Sequence, residues 1–394
     1  MPKIKTKFFL LFAGLLIITS CSDDDVTAVE PEATCFDGIR NGDELGVDCG
    51  GICFNTCFDE LVLEGELVTR RILSSEIEYT LNGPYIIRDG AILEIEAGTI
   101  IKATPNNDSY LIVAQGGQIY IYGESDNPVI ITSASENPEP GDWGGLVICG
   151  QATTNNGINA RSDLGDIFYG GNNNIQGSGT IRYLRLEYTG ALFRNEKRFN
   201  ALTLYGIGSS TNFSNIQAYE SMGNAFEIFG GTLNISNLVA LNTGLAGIKV
   251  SGGWTGAGDS WYLTNQNNSG IELGNNPINF DALPITDAFI ENITINGPLT
   301  NGALAYNNGG GFFNLFNIYT SSISLGININ SDIESLMVDV GNLEIENIEF
   351  ENPSSNFIPT NYSGATNFYS EGIAIGAGNR NELPDWAQNW TIGF

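Results

Sequence analysis

Residues 213–231 read FSNIQAYESMGNAFEIFGG, and residues 235–253 read ISNLVALNTGLAGIKVSGG. The second stretch repeats the first after 22 residues: Asn215 corresponds to Asn237, an apolar residue follows each, and both stretches end in Gly-Gly. A repeat of this length, built from short alternating runs with Gly and Asn corners, is typical of a solenoid whose coils stack on one another. We therefore expect each residue to lie beside the residue 22 positions later.

The pairing of Asn with a following apolar residue recurs along the chain and extends the repeat. It is found at Asn215, Asn237, Asn292, Asn317 and Asn347, at intervals of 22, 55, 25 and 30 residues. The interval of 55 has room for an intermediate coil within residues 260–276. Identical side chains on adjacent parallel strands lie about 4.8 Å apart and can hydrogen-bond along the stack. The sequence thus predicts an all-β, right-handed parallel β-helix over residues 59–394, with about 22–25 residues per coil.

Charge and composition exclude several classes of function. The 394 residues carry 16 Lys and Arg against 45 Asp and Glu, a net charge of −29, and they contain no His. Phosphate binding needs clustered cations, so we expect no nucleic-acid partner. The lack of imidazole excludes Ser-His-Asp and Cys-His catalysis and zinc sites with His ligands.

The first 20 residues have the form of a secretory signal. A basic start is followed by 11 apolar residues, 8–18, which are too few to span a bilayer as a helix. The sequence Ile-Thr-Ser-Cys at 18–21 resembles a bacterial lipoprotein signal, which implies cleavage before Cys21 and acylation of that Cys. The acidic residues at 23–25 resemble the export signal of Bacteroidota surface lipoproteins. We expect a lipid anchor in the outer membrane with surface exposure, and a disordered tether over residues 21–34. The alternative is an ordinary secretory signal.

Residues 35–58 form a Cys-rich segment with few apolar side chains. Cys35, Cys49, Cys53 and Cys57 are spaced for a small module held by two disulfides, as is typical of exported chains. Three pairings are compatible with the sequence, and a zinc site is the alternative.

Oxygen-bearing side chains lie between the first two of these Cys residues. They are Asp37, Asn41, Asp43, Glu44 and Asp48, with glycines that allow tight turns. Ca²⁺ prefers several oxygen ligands on a bent loop, so this segment is a candidate calcium site. The alternative is a turn-rich loop whose Asp and Asn side chains bond to the backbone. Ca²⁺ is the one cofactor that the sequence suggests.

The 22-residue register places three charged residues in one column. Glu227 faces Lys249 on the next coil, and Glu272 lies at the corresponding place on the coil after that. Such a column can hold a sugar, or it can be a pair of opposite charges that stabilises adjacent strands. Two carboxylates flanking a glycosidic bond would be needed for a glycosidase.

A Gly-rich segment, 252–263, adds four further candidates for ligand binding. Trp254, Asp259, Trp261 and Tyr262 resemble a sugar site if the indoles are exposed, since aromatic rings stack on sugars and a carboxylate accepts their hydroxyls. The alternative is that the indoles pack inside a coil junction.

A basic cluster and a lone Cys complete the candidate residues. The basic residues are Arg194, Lys197 and Arg198, with Arg182 and Arg185 nearby; they predict either an anion-binding patch or simple balancing of an acidic surface. Cys149 lies in an apolar strand, and we expect it to be a small buried side chain.

Several motifs resemble a family of exported Bacteroidota β-helix proteins. They are GDWGGLVICG (141–150), GTIRYLRLEYTGA (179–191), FEIFGGTLNISNLVA (226–240), and a closing Trp-x-x-x-Trp-Thr at 386–391. The resemblance covers most of residues 79–260 and implies a parallel β-helix. The N-terminal Cys-rich segment also resembles a short module that precedes other domains in such surface proteins. One departure is that residues 222–227, MGNAFE, replace an acidic run, so that only Glu227 remains of it.

Two functions follow from these observations. The first is a non-enzymatic surface protein that binds glycan or extracellular matrix, or acts as an adhesin or spacer. The second is a polysaccharide-active glycosidase or lyase. The lack of His and the weak carboxylate pairs favour the first.

Overall fold

The structure of the protein is a computed structural model. It describes residues 61–106, 108–194, 197–351 and 362–394, together with residues 34, 35, 37, 39, 41, 42 and 51–53 near the N-terminus. The chain divides into two compact units, Met1–Asp59 and Glu60–Phe394, which are considered separately. The predicted signal segment and most of the tether, including Cys21, lie outside the described residues. No helix in the described ranges is long and apolar enough to cross a membrane.

The second unit is a parallel β-helix, which confirms the predicted fold. Twenty-three strands belong to one hydrogen-bonded ladder, and four more form two antiparallel hairpins. In chain order the strands are β1 (Val62–Leu67), β2 (Arg70–Leu73), β3 (Glu78–Ile87), β4 (Ile92–Glu96), β5 (Ile100–Ala103), β6 (Tyr110–Val113), β7 (Gln118–Tyr122), β8 (Val129–Ser133), β9 (Leu146–Cys149), β10 (Ala160–Arg161), β11 (Phe168–Tyr169), β12 (Gly179–Glu187), β13 (Leu192–Arg194), β14 (Lys197–Arg198), β15 (Leu202–Ile207), β16 (Asn212–Ser221), β17 (Phe226–Gly231), β18 (Ile235–Thr243), β19 (Ile248–Ser251), β20 (Ala257–Gln266), β21 (Ile271–Leu273), β22 (Asp287–Asn296), β23 (Leu304–Tyr306), β24 (Phe312–Ser321), β25 (Ile327–Ile329), β26 (Leu343–Glu351) and β27 (Tyr369–Glu371). A short helix, α1 (Asp332–Asp339), and a 3₁₀ turn (Asp385–Ala387) are the two helical elements described.

The coils present three faces. The first face contains β6, β9, β15, β17, β19, β21, β23 and β25, which pair in that order. The long strands β12, β16, β18, β20, β22, β24 and β26 each bend at one residue. The part before the bend lies in the second face and the part after it in the third.

The bend explains the recurring Asn residues. At this corner the chain adopts the left-handed conformation, with φ between 50° and 60°, and Asn tolerates that conformation better than most residues with a side chain. The corner residues are Tyr183, Asn215, Asn237, Ser260, Asn292, Asn317 and Asn347. The Asn237 amide donates to Asn215 Oδ1 over 3.4 Å, and that of Asn317 donates to Asn292 Oδ1 over 2.7 Å, as the stacking prediction requires. Ser260 supplies the intermediate coil expected within the interval of 55 residues.

The core is made of side chains that stack from coil to coil. One inward-facing column consists of Ile216, Leu238, Trp261, Ile293, Ile318 and Ile348, all with no exposed surface. In this column Trp261 occupies a position that aliphatic residues fill elsewhere. Its ring lies over Gly258, where a Cβ atom would come within 2.2 Å of the indole.

Residues 374–394, here called the C-terminal strap, run back over the outside of the third face. The backbone of Ile392 exchanges two hydrogen bonds with the Gln217 side chain, of 2.8 and 3.0 Å. The Tyr262 hydroxyl donates to Asn381 O, and Trp390 is fully buried against Tyr183 and other residues of this face. The strap therefore covers outward positions on several successive coils.

In the first unit, Cys35 and Cys53 form a disulfide, which confirms the prediction for these two residues. Cys49 and Cys57 lie outside the described residues. Asp37 accepts a hydrogen bond from the Ile39 backbone amide over 2.8 Å and another from the Asn41 amide over 2.9 Å. These are the contacts expected of a turn. Asp43, Glu44 and Asp48 are not among the described residues, so calcium binding by this segment stays a prediction.

Candidate functional site

The predicted column of charges is present on the first face. Glu227 in β17 pairs in register with Lys249 in β19, which pairs with Glu272 in β21. All three point outward, because the residues that flank them in each strand are buried in the core. Lys249 Nζ lies 3.0 Å from Glu227 Oε1, so an ion pair links two adjacent coils.

A groove of about 450 Å³ lies above Glu227 and Lys249. Its floor is the outer surface of the first face. Two hairpins form its walls: β10–β11 contributes Asp163 and Leu164 from its loop, and β13–β14 contributes Phe193 and Lys197. Lys197 Nζ contacts Asp163 Oδ2 at 2.6 Å, so an ion pair joins the two hairpins. The lining residues are Val147, Asp163, Leu164, Phe193, Lys197, Arg198, Phe199, Asn200, Thr203, Tyr205, Asn224, Glu227, Leu245 and Lys249.

Both carboxylate oxygens of Glu227 have partners. Oε1 contacts Lys249, and Oε2 accepts a hydrogen bond of 2.8 Å from the Asn200 amide. Asn200 is held in turn by Asn224, whose amide donates to Asn200 Oδ1 over 2.8 Å. Asn224 also accepts from the backbone of Ala246 on the next coil. The charged pair therefore sits in a fixed amide network that spans three coils.

The surroundings shift two pKa values in this column. The negative charge of Glu227 raises the pKa of Lys249 and outweighs the opposing effect of burial, so the ammonium form persists well above neutral pH. Burial raises the pKa of Glu272, and the nearby Lys249 opposes that rise only in part. Glu272 accepts a hydrogen bond of 2.6 Å from Asn268 and is not part of the groove lining.

Aromatic rings form the apolar part of the groove. Phe199 packs on Phe193 with ring centroids 4.6 Å apart, and Tyr205 stacks on Tyr169 at the same distance. The groove thus combines ring surfaces, amides and one more cation than carboxylate, although the whole chain carries a charge of −29.

Comparison with protein families agrees with this architecture. Residues 65–391 match the family described as the pectate-lyase like beta helix domain. The chain belongs to this family. No curated protein and no solved structure matches the chain.

Within this pectate-lyase-like β-helix, the Gly-rich segment does not form an exposed aromatic site. The expectation that Trp254 and Trp261 present their faces to a ligand is wrong, because neither indole has exposed surface. Trp254 Nε1 donates to Leu233 O inside the core over 2.9 Å. Tyr262 is 3% exposed and lies under the C-terminal strap. Trp254 is buried in the turn before β20, and Trp261 faces the core beside Leu238, as the packing interpretation required.

The other candidates are spread over the pectate-lyase-like β-helix. Asp259 lies on the second face and accepts a hydrogen bond from Asn292, so it does not join the column of Glu227. Of the basic residues, Lys197 and Arg198 line the groove, whereas Arg182 stacks on Tyr122 and Arg185 pairs with Glu187. A single basic patch is therefore not formed by these four residues. Cys149 is buried as predicted, and burial raises the pKa of its thiol to about 12.

Sequence reasoning missed Asn200 and Asn224, which orient Glu227. A signal for them was present: residues 200–206 read NALTLYG and residues 224–230 read NAFEIFG. The two stretches pair in register, with Leu202 beside Phe226. Aligning this repeat would have placed both amides next to the carboxylate.

Proposed function

We propose that the protein binds a glycan in the groove above Glu227 and Lys249 and leaves its glycosidic bonds intact. The observation that carries the proposal is the engagement of both Glu227 oxygens, one by Lys249 and one by Asn200. Each oxygen keeps a further lone pair that can accept a sugar hydroxyl. Glycosidic cleavage also needs a second carboxyl group that donates a proton, and the other carboxylate in the groove lining, Asp163, is paired with Lys197. Lys249 is unsuited to act as the base of a lyase, because its pKa is raised and it stays protonated.

The composition of the groove fits a sugar better than an apolar molecule. Sugars offer hydroxyl groups to amides and charged groups, and their C–H faces pack on aromatic rings. Lys249 and Arg198 provide the polar contacts, and Phe193 and Tyr205 provide ring surface. Arg198 donates to Gly190 O over 3.0 Å and is the lining cation for which no ion pair is described. A uronate-containing oligosaccharide and a neutral one are therefore the two ligands to compare.

Lys249→Met is expected to weaken binding to the preferred oligosaccharide by about tenfold, because it removes a charged hydrogen-bond donor from the floor of the groove. Isothermal titration calorimetry on the full chain measures this. The matched control is Lys102→Met, since Lys102 forms a similar ion pair of 2.8 Å with Glu78 on a neighbouring coil away from the groove. We expect no change in affinity for the control. Equal affinity of Lys249→Met and the unmodified chain would show that the groove is not the site.

The absence of cleavage is tested separately. The purified chain is incubated with neutral and acidic polysaccharides, and reducing ends and unsaturated products are assayed. We expect neither. Release of oligosaccharides would remove the non-enzymatic part of the proposal and leave the groove as a candidate active site.

A polysaccharide hydrolase is the second candidate, and one observation favours it. Glu227 and Glu272 are two strand spacings apart, about 9–10 Å between backbones, which is near the upper limit for the carboxylates of an inverting glycosidase. The raised pKa of Glu272 suits a general acid. This function requires that Glu272→Gln abolish any hydrolysis that the unmodified chain shows.

We further propose that acyl chains on Cys21 hold the protein at the outer membrane. Two or more acyl chains anchor a protein stably without a spanning helix. Cys21→Ser is expected to abolish incorporation of labelled palmitate and to shift the protein from the detergent phase to the aqueous phase of a Triton X-114 partition. Ser22→Ala is the control and is expected to keep both properties. A mature chain whose Cys21 carries no acyl mass would contradict the proposal.

A further inference from the structure

The second face of the β-helix presents a straight row of outward side chains that the groove does not use. The row has two aromatic ends, Tyr122 in β7 and Phe316 in β24, six strands later. The five residues between them, in register, are Arg182, Ser214, Ser236, Asp259 and Glu291. The same register continues beyond these ends to Glu96 in β4 and to Glu346 in β26. With strands about 4.8 Å apart, the distance from Tyr122 to Phe316 is about 29 Å.

Aromatic rings stand at one end of this row. Tyr120 and Tyr122 alternate with buried residues in β7, so both point outward. Their ring centroids are 6.0 Å apart and their planes are inclined by 26°, so the two rings are nearly parallel. The Arg182 guanidinium lies 5.6 Å from the centroid of the Tyr122 ring and continues this cluster onto the next coil.

A second aromatic cluster stands at the other end. Phe289, Phe312 and Phe316 are 46%, 43% and 39% exposed. Register places Phe289 beside Asn314, between the two outward phenylalanines of β24, Phe312 and Phe316. Three neighbouring phenylalanines on a rigid sheet, each with over a third of its surface in water, add little to the core of their own chain. Contiguous exposed apolar surface of this kind marks a binding surface.

Short polar side chains fill the space between the clusters. Ser214 and Ser236 lie in the row, and Thr180 and Asn212 lie in the adjacent row. They are shorter than the rings at either end and offer hydroxyl and amide groups. The surface therefore has aromatic clusters at its ends and hydrogen-bonding groups between them.

We propose that this face binds an extended, uncharged polysaccharide whose chain runs across the strands. Because adjacent strands are about 4.8 Å apart, the row offers an extended chain a side chain at each of seven successive strands. The terminal units stack on the tyrosine and phenylalanine clusters, and the middle units bond to the serines. Asp259 and Glu291, against the one cation Arg182, disfavour a polyanionic chain. This surface lies on a different face from the groove, so the inference does not depend on the function proposed there.

The test uses affinity gel electrophoresis of the full chain with hydroxyethyl cellulose, galactomannan and polygalacturonate in the gel. We expect retardation by at least one of the two neutral polymers. Phe316→Ser and Phe289→Ser are each expected to raise the dissociation constant for that polymer by about tenfold, the size of effect that removal of a central aromatic contact produces. Phe394→Ser is the matched control, because Phe394 is 53% exposed and lies in the C-terminal strap beside Tyr262, on the third face.

A second control lies outside both this face and the groove. Lys102→Met is expected to leave retardation by the neutral polymer unchanged, and thermal unfolding confirms that each variant is folded. The inference is overturned if neither neutral polymer retards the chain, if the Phe289 and Phe316 variants are both retarded as strongly as the unmodified chain, or if Phe394→Ser weakens binding equally.

Discussion

Trp254→Ala and Trp261→Ala are each expected to lower the free energy of unfolding by about 3–5 kcal/mol, the range found when a large buried aromatic side chain is truncated. Both indoles are fully buried, and Trp261 fills a column that is otherwise aliphatic. Urea unfolding followed by tryptophan fluorescence and circular dichroism measures the change. Glycan affinity of the folded variants is expected to stay the same. A variant with unchanged stability and lost binding would restore the interpretation of these residues as a sugar platform.

A pair of milder substitutions tests the same packing more finely. Trp254 Nε1 donates to Leu233 O, whereas Trp261 Nε1 is buried and has no hydrogen-bond partner. Trp254→Phe removes an existing hydrogen bond and leaves the buried Leu233 carbonyl without this donor. Trp261→Phe removes a donor that was unsatisfied. We expect the first to cost about 1–3 kcal/mol more than the second, beyond the similar loss of ring volume. Equal losses would show that the two indole groups have the same environment.

Trp390→Ala is expected to release the C-terminal strap and to lower stability by about 3 kcal/mol or more. Trp390 is fully buried and meets the Tyr183 ring edge-on at 5.8 Å, and its indole nitrogen donates to Trp386 O. Limited proteolysis with mass spectrometry measures release, because an undocked strap is cleaved while the coils persist. Urea unfolding measures the accompanying loss of stability.

Gln388→Ala is the control for the strap. Gln388 is exposed and bonds within the strap to Asp385, so its replacement is expected to change stability by less than about 0.5 kcal/mol. A specific role for Trp390 would be contradicted if the strap were cleaved at the same rate in Trp390→Ala and Gln388→Ala. It would also be contradicted if the strap were cleaved in neither variant.

The features that repeat with the coil were predictable from the sequence. The column of Glu227, Lys249 and Glu272 and the Asn corner follow from counting 22 or 23 residues, because parallel stacking turns sequence distance into contact. The burial of Trp254 was harder to predict than that of Trp261. For Trp261 the register was sufficient, because it lies 23 residues after the inward-facing Leu238. Trp254 lies in a turn outside the strands, where the register gives no direction for the side chain.

The parts of the site that depend on non-repeating segments could not be predicted. The hairpins that wall the groove interrupt the repeat, and the ion pair between Lys197 and Asp163 spans 34 residues with no periodic signal. The cover over Tyr262 comes from the strap, whose contact partner Asn381 lies 119 residues away. The docking of the hairpins and of the strap depends on the shapes of two surfaces that exist only after the coils have folded.

The strap has a consequence for the order in which the chain acquires its structure. Most pairings join neighbouring coils, so the solenoid can grow by addition as the polypeptide emerges from a ribosome or a translocation pore. The hydrogen bond from the Gln217 side chain to the Ile392 backbone, however, can form only after a further 175 residues have been synthesised. Until then Val239 and Tyr262 remain exposed to solvent and to other proteins. An emerging chain is therefore vulnerable along this side for most of its synthesis, and the last segment to arrive ends that exposure.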